Sequence, residues 1–192
     1  MGKSGEIRYA PSMQAYLKKH GPVTANHTIK VDWKREGLSF VLDFTVHKRN
    51  AIPWHTDPVF TQDWGKNWGL WNKDVMEVFL QLRQNPNDLK APYLEIQVSP
   101  LNQPFALIIV EPRKTFHAPK ILNFHSRVSL EDKNWTGRIE LTLPNELKGS
   151  LLYGGCYSCL SEGPREFYAL EPNPEANPDF HRPELFIPLD EQ

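Results

Sequence analysis

Between Leu38 and His47 the apolar residues Leu38, Phe40, Leu42, Phe44 and Val46 alternate with Ser39, Asp43, Thr45 and His47. A period of two puts alternate side chains on opposite faces of an extended strand, and a helix would scatter them around its axis. The segment before it repeats the pattern, with Ile29, Val31 and Trp33 set against Lys30, Asp32 and Lys34. Two adjacent runs of this kind require a sheet with one face buried and the other polar.

Further runs follow in the same style. Met76, Val78, Leu80 and Leu82 define one face of a strand beginning near Asp74, and Val75, Glu77, Phe79 and Gln81 the other. Leu94, Ile96 and Val98 lie opposite Tyr93, Glu95 and Gln97. Strands are also predicted over 105–110, 121–130, 135–143, 151–160 and 165–170. The 17 prolines fall between apolar runs, where they break helices and end strands. One helical turn is expected at Pro144–Lys148, and a short helix near Ser12–Leu17. Together these predict an all-β chain, an antiparallel β-sandwich of jelly-roll or immunoglobulin-like type, with long loops and little helix. Residues 1–26 are expected to be an irregular segment packing on the domain, and residues 27–192 one sandwich.

A net charge of -1, with no Lys/Arg-rich run, excludes a global field for nucleic acid or an anionic membrane. No apolar run is long enough to span a bilayer as a helix. The first residues carry no apolar leader core, so a cytoplasmic protein is expected unless a leader has been removed, in which case it is extracellular or periplasmic. Cys156 and Cys159 are spaced C-x-x-C within a predicted strand, which sends them to opposite faces. They read as two free structural thiols, neither a redox pair nor half of a zinc site.

The chemistry concentrates between Lys48 and Phe79. A long loop carries Trp54, Trp64, Trp68 and Trp71 and runs into the strand that holds Glu77. If the strands over 74–81 and 93–99 pair antiparallel through the turn at Asn85–Asp88, Glu77 shares a face with Glu95 and Gln97. Arg127 and His125, on another alternating strand, are candidates for the same surface. Aromatic rings that stack on a pyranose, beside planar polar groups that take its hydroxyls, form a sugar-binding set. Trp33 and Trp135 are expected in the core. A Glu77–Glu95 acid/base pair would suit a glycosidase, but no other catalytic motif accompanies it and no enzyme is expected. Asp57, Asp63 or Asp74 could ligate calcium, though without a spacing signature, and no cofactor is expected.

Three blocks carry a family likeness. The stretch Trp71-x-x-Asp74-Val75-x-Glu77-Val78-Phe79-Leu80 resembles a strand of the family 9 carbohydrate-binding modules and their relatives in the DOMON-like superfamily. Tyr93–Pro100 is similar to the strand that follows it there, and Phe180-His181-Arg182-Pro183-Glu184-Leu185-Phe186 to the closing segment of bacterial members. The resemblance implies a non-catalytic sandwich that grips a sugar end between two tryptophans, with a glutamate and an arginine on its hydroxyls. Trp71 matches one tryptophan and Glu77 the glutamate. No tryptophan follows Trp135 where the second is expected, and Tyr168 or Phe180 are the aromatic substitutes. Some DOMON relatives bind haem through Met and Lys; Met76 is expected on the core face, and haem is not expected. The expected carbohydrate site is Trp71, Trp68, Glu77, Glu95, Gln97 and Arg127. The alternative is a module of the same fold that has lost sugar binding and serves structure or protein interaction.

Overall fold

The structure, a computed structural model, describes residues 12–21, 25–50, 53–161, 165–175 and 177–190. Thirteen strands appear in chain order: β1 (Met13–Tyr16), β2 (Lys18–Lys19), β3 (His27–Glu36), β4 (Ser39–Lys48), β5 (Val75–Arg83), β6 (Tyr93–Val98), β7 (Pro104–Glu111), β8 (Thr115–His117), β9 (Asn123–Leu130), β10 (Asn134–Thr142), β11 (Leu151–Ser161), β12 (Arg165–Ala169) and β13 (Ile187–Pro188). They form two sheets. The smaller runs β1-β3-β4-β10-β9; the larger runs β2-β12-β11-β5-β6-β7-β8, with β13 also on β11. Every pairing is antiparallel. The all-β antiparallel sandwich is as expected.

The apolar residues of each alternating run meet between the sheets. Phe40, Leu42, Phe44 and Val46 of β4 pack against Met76, Val78, Leu80 and Leu82 of β5 in one core that also holds Leu94, Ile96 and Val98. Trp33 and Trp135 are buried in it, and the Trp33 indole N–H donates to the Leu189 carbonyl at 3.3 Å. The β3–β4 hairpin closes with Gly37 at φ 59° in a two-residue turn that fixes its register.

Residues 13–16 form an edge strand where a short helix was expected. Met13–Tyr16 pair with Lys30–Trp33, and the Leu17 N–H donates to the Ile29 carbonyl at 2.9 Å. Four residues provide too little helix to stand alone, and the open edge of β3 supplies partners for their backbone. Of residues 1–26, Met13–Tyr16 and Lys18–Lys19 are strands of the two sheets, and residues 1–11 and 22–24 lie outside the described residues. Pro144–Leu147 close a turn through one backbone hydrogen bond of 3.0 Å rather than a helix.

Among the described residues, the larger sheet is covered on both faces. All nine residues of β5 and all six of β6 are buried, whereas on β4 buried residues alternate with more exposed ones. The covering consists of the loop from residue 53 to 74 and the segment from 178 to 186. These two stretches create the site.

Candidate functional site

Cross-strand register assembles the floor. Glu77 on β5 is opposite Gln97 on β6 and Tyr157 on β11, and Glu95 is opposite Phe79 and Leu107. Glu77 and Glu95 are therefore diagonal neighbours on one face, within reach of each other. Two apolar clusters flank this polar centre. Toward the start of β5 lie Val75, Phe105, Cys159 and Leu70; toward its end lie Phe79, Tyr93, Ile109, Tyr157 and Phe186.

The Trp-rich loop is held down by buried polar side chains. Asn67 donates to the carbonyls of Thr61 (2.8 Å) and Pro104 (2.6 Å) and accepts from the Thr61 N–H (2.9 Å). Gln103 donates to the carbonyls of Asp57 and Phe60 at 2.8 and 3.0 Å. Asp74 accepts from the backbone N–H groups of His55 (2.8 Å) and Ser161 (2.7 Å). Backbone that would otherwise be unpaired is satisfied in this way. The loop ends in a short 3-10 turn, Leu70–Asn72, entered through Gly69 at φ 89°. That turn points the Trp71 ring at Phe105, with centroids 5.7 Å apart. Trp68 lies edge-on to Trp71 at 4.9 Å and stacks on Phe116 of β8 at 5.4 Å, with 58% of its surface exposed at the rim.

The C-terminal segment closes the other end. Phe180 stacks on Tyr157 at 4.4 Å, and the Tyr93 hydroxyl is 2.7 Å from His181 Nδ1. Gly155 makes room for this packing, because a Cβ there would come 2.2 Å from the Tyr157 hydroxyl. Arg83, buried beneath, donates to the Pro183 carbonyl at 2.6 Å and anchors the segment.

Between these walls lies a cavity of about 440 Å³. Glu77, Glu95 and Gln97 form its floor; Trp71, Phe116 and Phe180 are among its walls. Gln97 Nε2 donates to Glu95 Oε1 at 2.6 Å, and Gln97 Oε1 is buried with no partner among the described residues. Glu77 Oε1 is 3.7 Å from the Cys159 sulfur, a weak thiol contact. Burial first, and then the charge of Glu95, push Glu77 up to about 8, against the pull of Arg165 and Cys159. Burial pushes Glu95 up to about 7, against the hydrogen bond from Gln97. Burial also lowers His181 and favours its neutral ring, and raises both thiols, Cys156 to about 12, so neither is a thiolate nucleophile.

Five of the six expected site residues, Trp68, Trp71, Glu77, Glu95 and Gln97, line this one cavity. Arg127 is elsewhere: it sits on β9 of the smaller sheet, opposite Arg138, and faces away from the cavity's sheet. Alternation assigns a residue to a face but not to a sheet. Arg165, at the start of β12, lines the cavity instead. Its Nη2 donates to the carbonyls of Trp71 and Lys73, and its buried Nε has no partner among the described residues. Sequence reasoning also missed Phe116, Arg113 and Asp179 on the rim. Arg113 and Asp179 form an ion pair across the mouth. The block at Phe180–His181 was visible as a motif, but only the fold shows that it roofs the site.

The possible calcium ligands are engaged otherwise. Asp57 faces Lys73 at 3.4 Å, Asp63 faces Lys66 at 3.0 Å, and Asp74 lies 3.9 Å from the buried Lys48. Among the described residues no three His, Cys, Asp or Glu side chains are placed to hold a metal. Met76 is in the core between the sheets.

No family model and no curated protein matches the chain. Solved structures do match its fold. The "putative carbohydrate-binding protein" of Bacteroides uniformis superposes with a TM-score of 0.57 at 15% identity, over 88% of this chain and 84% of that one. A carbohydrate-binding module of family 9 from Caldicellulosiruptor kristjanssonii, solved with cellotriose, gives 0.55 at 16% identity, over 88% and 78%. At these identities the likeness establishes a shared sandwich fold.

Proposed function

We propose that this protein is a non-catalytic carbohydrate-binding domain that takes a sugar end into the cavity over β5 and β6. The observation that carries this reading is the floor of three buried, planar polar side chains, Glu77, Glu95 and Gln97, set between aromatic walls. Carboxyl and amide groups pair with adjacent hydroxyls, and aromatic faces cover the apolar side of a pyranose. A volume of about 440 Å³ lies in the range of small-ligand pockets. The fold shared with a family 9 module that binds cellotriose supports the same reading. Trp71 is the proposed stacking residue at one wall, and Phe180, at the opposite wall, stands where a second aromatic is wanted. Arg165 takes the role that the sequence reading gave to Arg127.

The test is a glycan array followed by calorimetry on wild type and Trp71→Ala. Binding of a saccharide end is expected, weakened about tenfold or more by Trp71→Ala, which corresponds to about 1.4 kcal/mol. Failure of every glycan, or equal binding by the variant, overturns the proposal. Polysaccharides incubated with the protein should release no reducing sugar; release would make the Glu77–Glu95 pair catalytic. One observation favours the alternative, an interaction module without sugar binding: Trp68 already spends a ring face on Phe116. The same array decides between the two.

A further inference from the structure

The floor of the cavity has more acceptors to offer than donors. Gln97 gives one of its two amide hydrogens to Glu95, and Gln97 Oε1 is buried with no partner among the described residues. Among the described residues Glu77 receives only the weak thiol of Cys159. Glu95 Oε2 lies 3.9 Å from His181 Nε2, too far for a hydrogen bond. The cations nearby are committed: Arg165 Nη2 is bound to two backbone carbonyls and Arg113 to Asp179. Arg165 Nε is buried with no partner among the described residues. Three acceptors on adjacent strands, Glu77, Glu95 and Gln97, thus await donors from a ligand. All three are less than 5% exposed, so leaving them unfilled costs desolvation with no return.

We propose that the sugar end taken here carries a protonated amine, so that an amino sugar is preferred over a neutral or acidic one, its ammonium lying between Glu77 and Glu95 with Gln97 Oε1 as third acceptor. This rests on the carbohydrate reading of the same cavity. An ammonium has three donors and no acceptor, which matches the three waiting oxygens. The aromatic walls favour a cation, since ring faces attract positive charge in a desolvated site. A uronic acid would bring a third carboxyl against two that already resist joint ionisation. The groups around Glu77 are Glu95, Arg165, Cys159 and Tyr157; those around Glu95 are Glu77, Gln97, His181 and Tyr93. Because burial raises both carboxyls, an ammonium that ionises them expels protons to solvent.

The experiment is calorimetry on the full chain with glucosamine trimer, N-acetylglucosamine trimer and cellotriose, at about pH 6, in two buffers of different ionisation enthalpy. Glucosamine trimer is expected to bind about tenfold or more tightly than either of the others, with release of about one proton or more. In Glu95→Gln, an isosteric change whose fold is checked by thermal melting, that preference should fall to about threefold or less; Glu77→Gln serves as the second variant. Equal or tighter binding of cellotriose or of the acetylated trimer overturns the amine proposal and leaves the carbohydrate reading standing. Binding of no sugar overturns both. A preference that survives both substitutions, or that comes without proton release, overturns the placement of the ammonium.

Discussion

On β4 in the smaller sheet, buried residues alternate with more exposed ones, while on β5 in the larger sheet all nine are buried. Both strands are built to a period of two, so the difference comes from what lies over their outer faces. The smaller sheet keeps its outer face in water. Arg138 there holds Asp43 with two hydrogen bonds of 2.6 and 2.7 Å. The larger sheet has a roof, and the carboxyls beneath it have lost water without gaining full partners. An ordinary sandwich face is thus turned into a site by covering it, and its polar residues change from solubilising groups into strained ones.

The largest effect should separate the two faces by packing. Phe79 is on the outer face of β5, yet it is 1% exposed, within 5.7 Å of Tyr93 and 4.9 Å of Tyr157. Phe79→Ala is expected to cost about 3–5 kcal/mol, as for a core phenylalanine, whereas Thr45→Ala on the exposed face of β4 should stay within about 0.5 kcal/mol. Urea denaturation measures both. Similar small costs would mean that the roof packs no second core.

Next in size is a difference in pH dependence. Glu77 and Glu95 are raised, from the ordinary 4.5 to about 8 and about 7. Groups raised on folding contribute stability that is full below their unfolded value and lost as pH rises through the folded one. Stability should therefore decline as pH rises from about 4.5 to 8. Glu77→Gln with Glu95→Gln should flatten that decline. Glu166 has the opposite sign. Although burial pushes it up, hydrogen bonds from Lys19, Tyr168, His27 and Asn26 hold it down to about 2. Its contribution is present above 4.5 and is lost as pH falls toward 2. Thermal melts from pH 3 to 9 test both limbs, and a wild-type curve rising toward pH 8 would contradict the desolvated pair.

Much of the fold was legible because alternation is a local signal. Nine strands, the burial of Trp33 and Trp135, and the common face of Glu77, Glu95 and Gln97 all follow from it. What was not legible depends on distant chain. Met13–Tyr16 become a strand only because β3 offers an edge, with Met13 opposite Trp33 and Tyr16 opposite Lys30. The roof over β5 comes from Asn67 reaching the Pro104 carbonyl and Arg83 reaching the Pro183 carbonyl. Arg127 and Arg165 both lie on strands read correctly. Only the order β12-β11-β5 brings the second to the cavity, and only β9's place beside β10 keeps the first away.

That pair of arginines, with Arg138, gives the remaining tests. Arg165→Ala should cost about 1.5–3 kcal/mol, since charged donors to the Trp71 and Lys73 carbonyls are lost, and it should weaken ligand binding by freeing the loop that positions Trp71. Arg138→Ala, at a solvated ion pair with Asp43, should cost about 0–1 kcal/mol. Arg127→Ala is the smallest. Arg127 is exposed and directly opposite Arg138, so removing it relieves a like-charge cross-strand pair. Stability should shift by no more than about 0.5 kcal/mol, toward stabilisation, and ligand affinity should match wild type. A loss of binding in Arg127→Ala, measured beside Arg165→Ala on the same ligand, would move the site to the open sheet and reverse the comparison between the two faces.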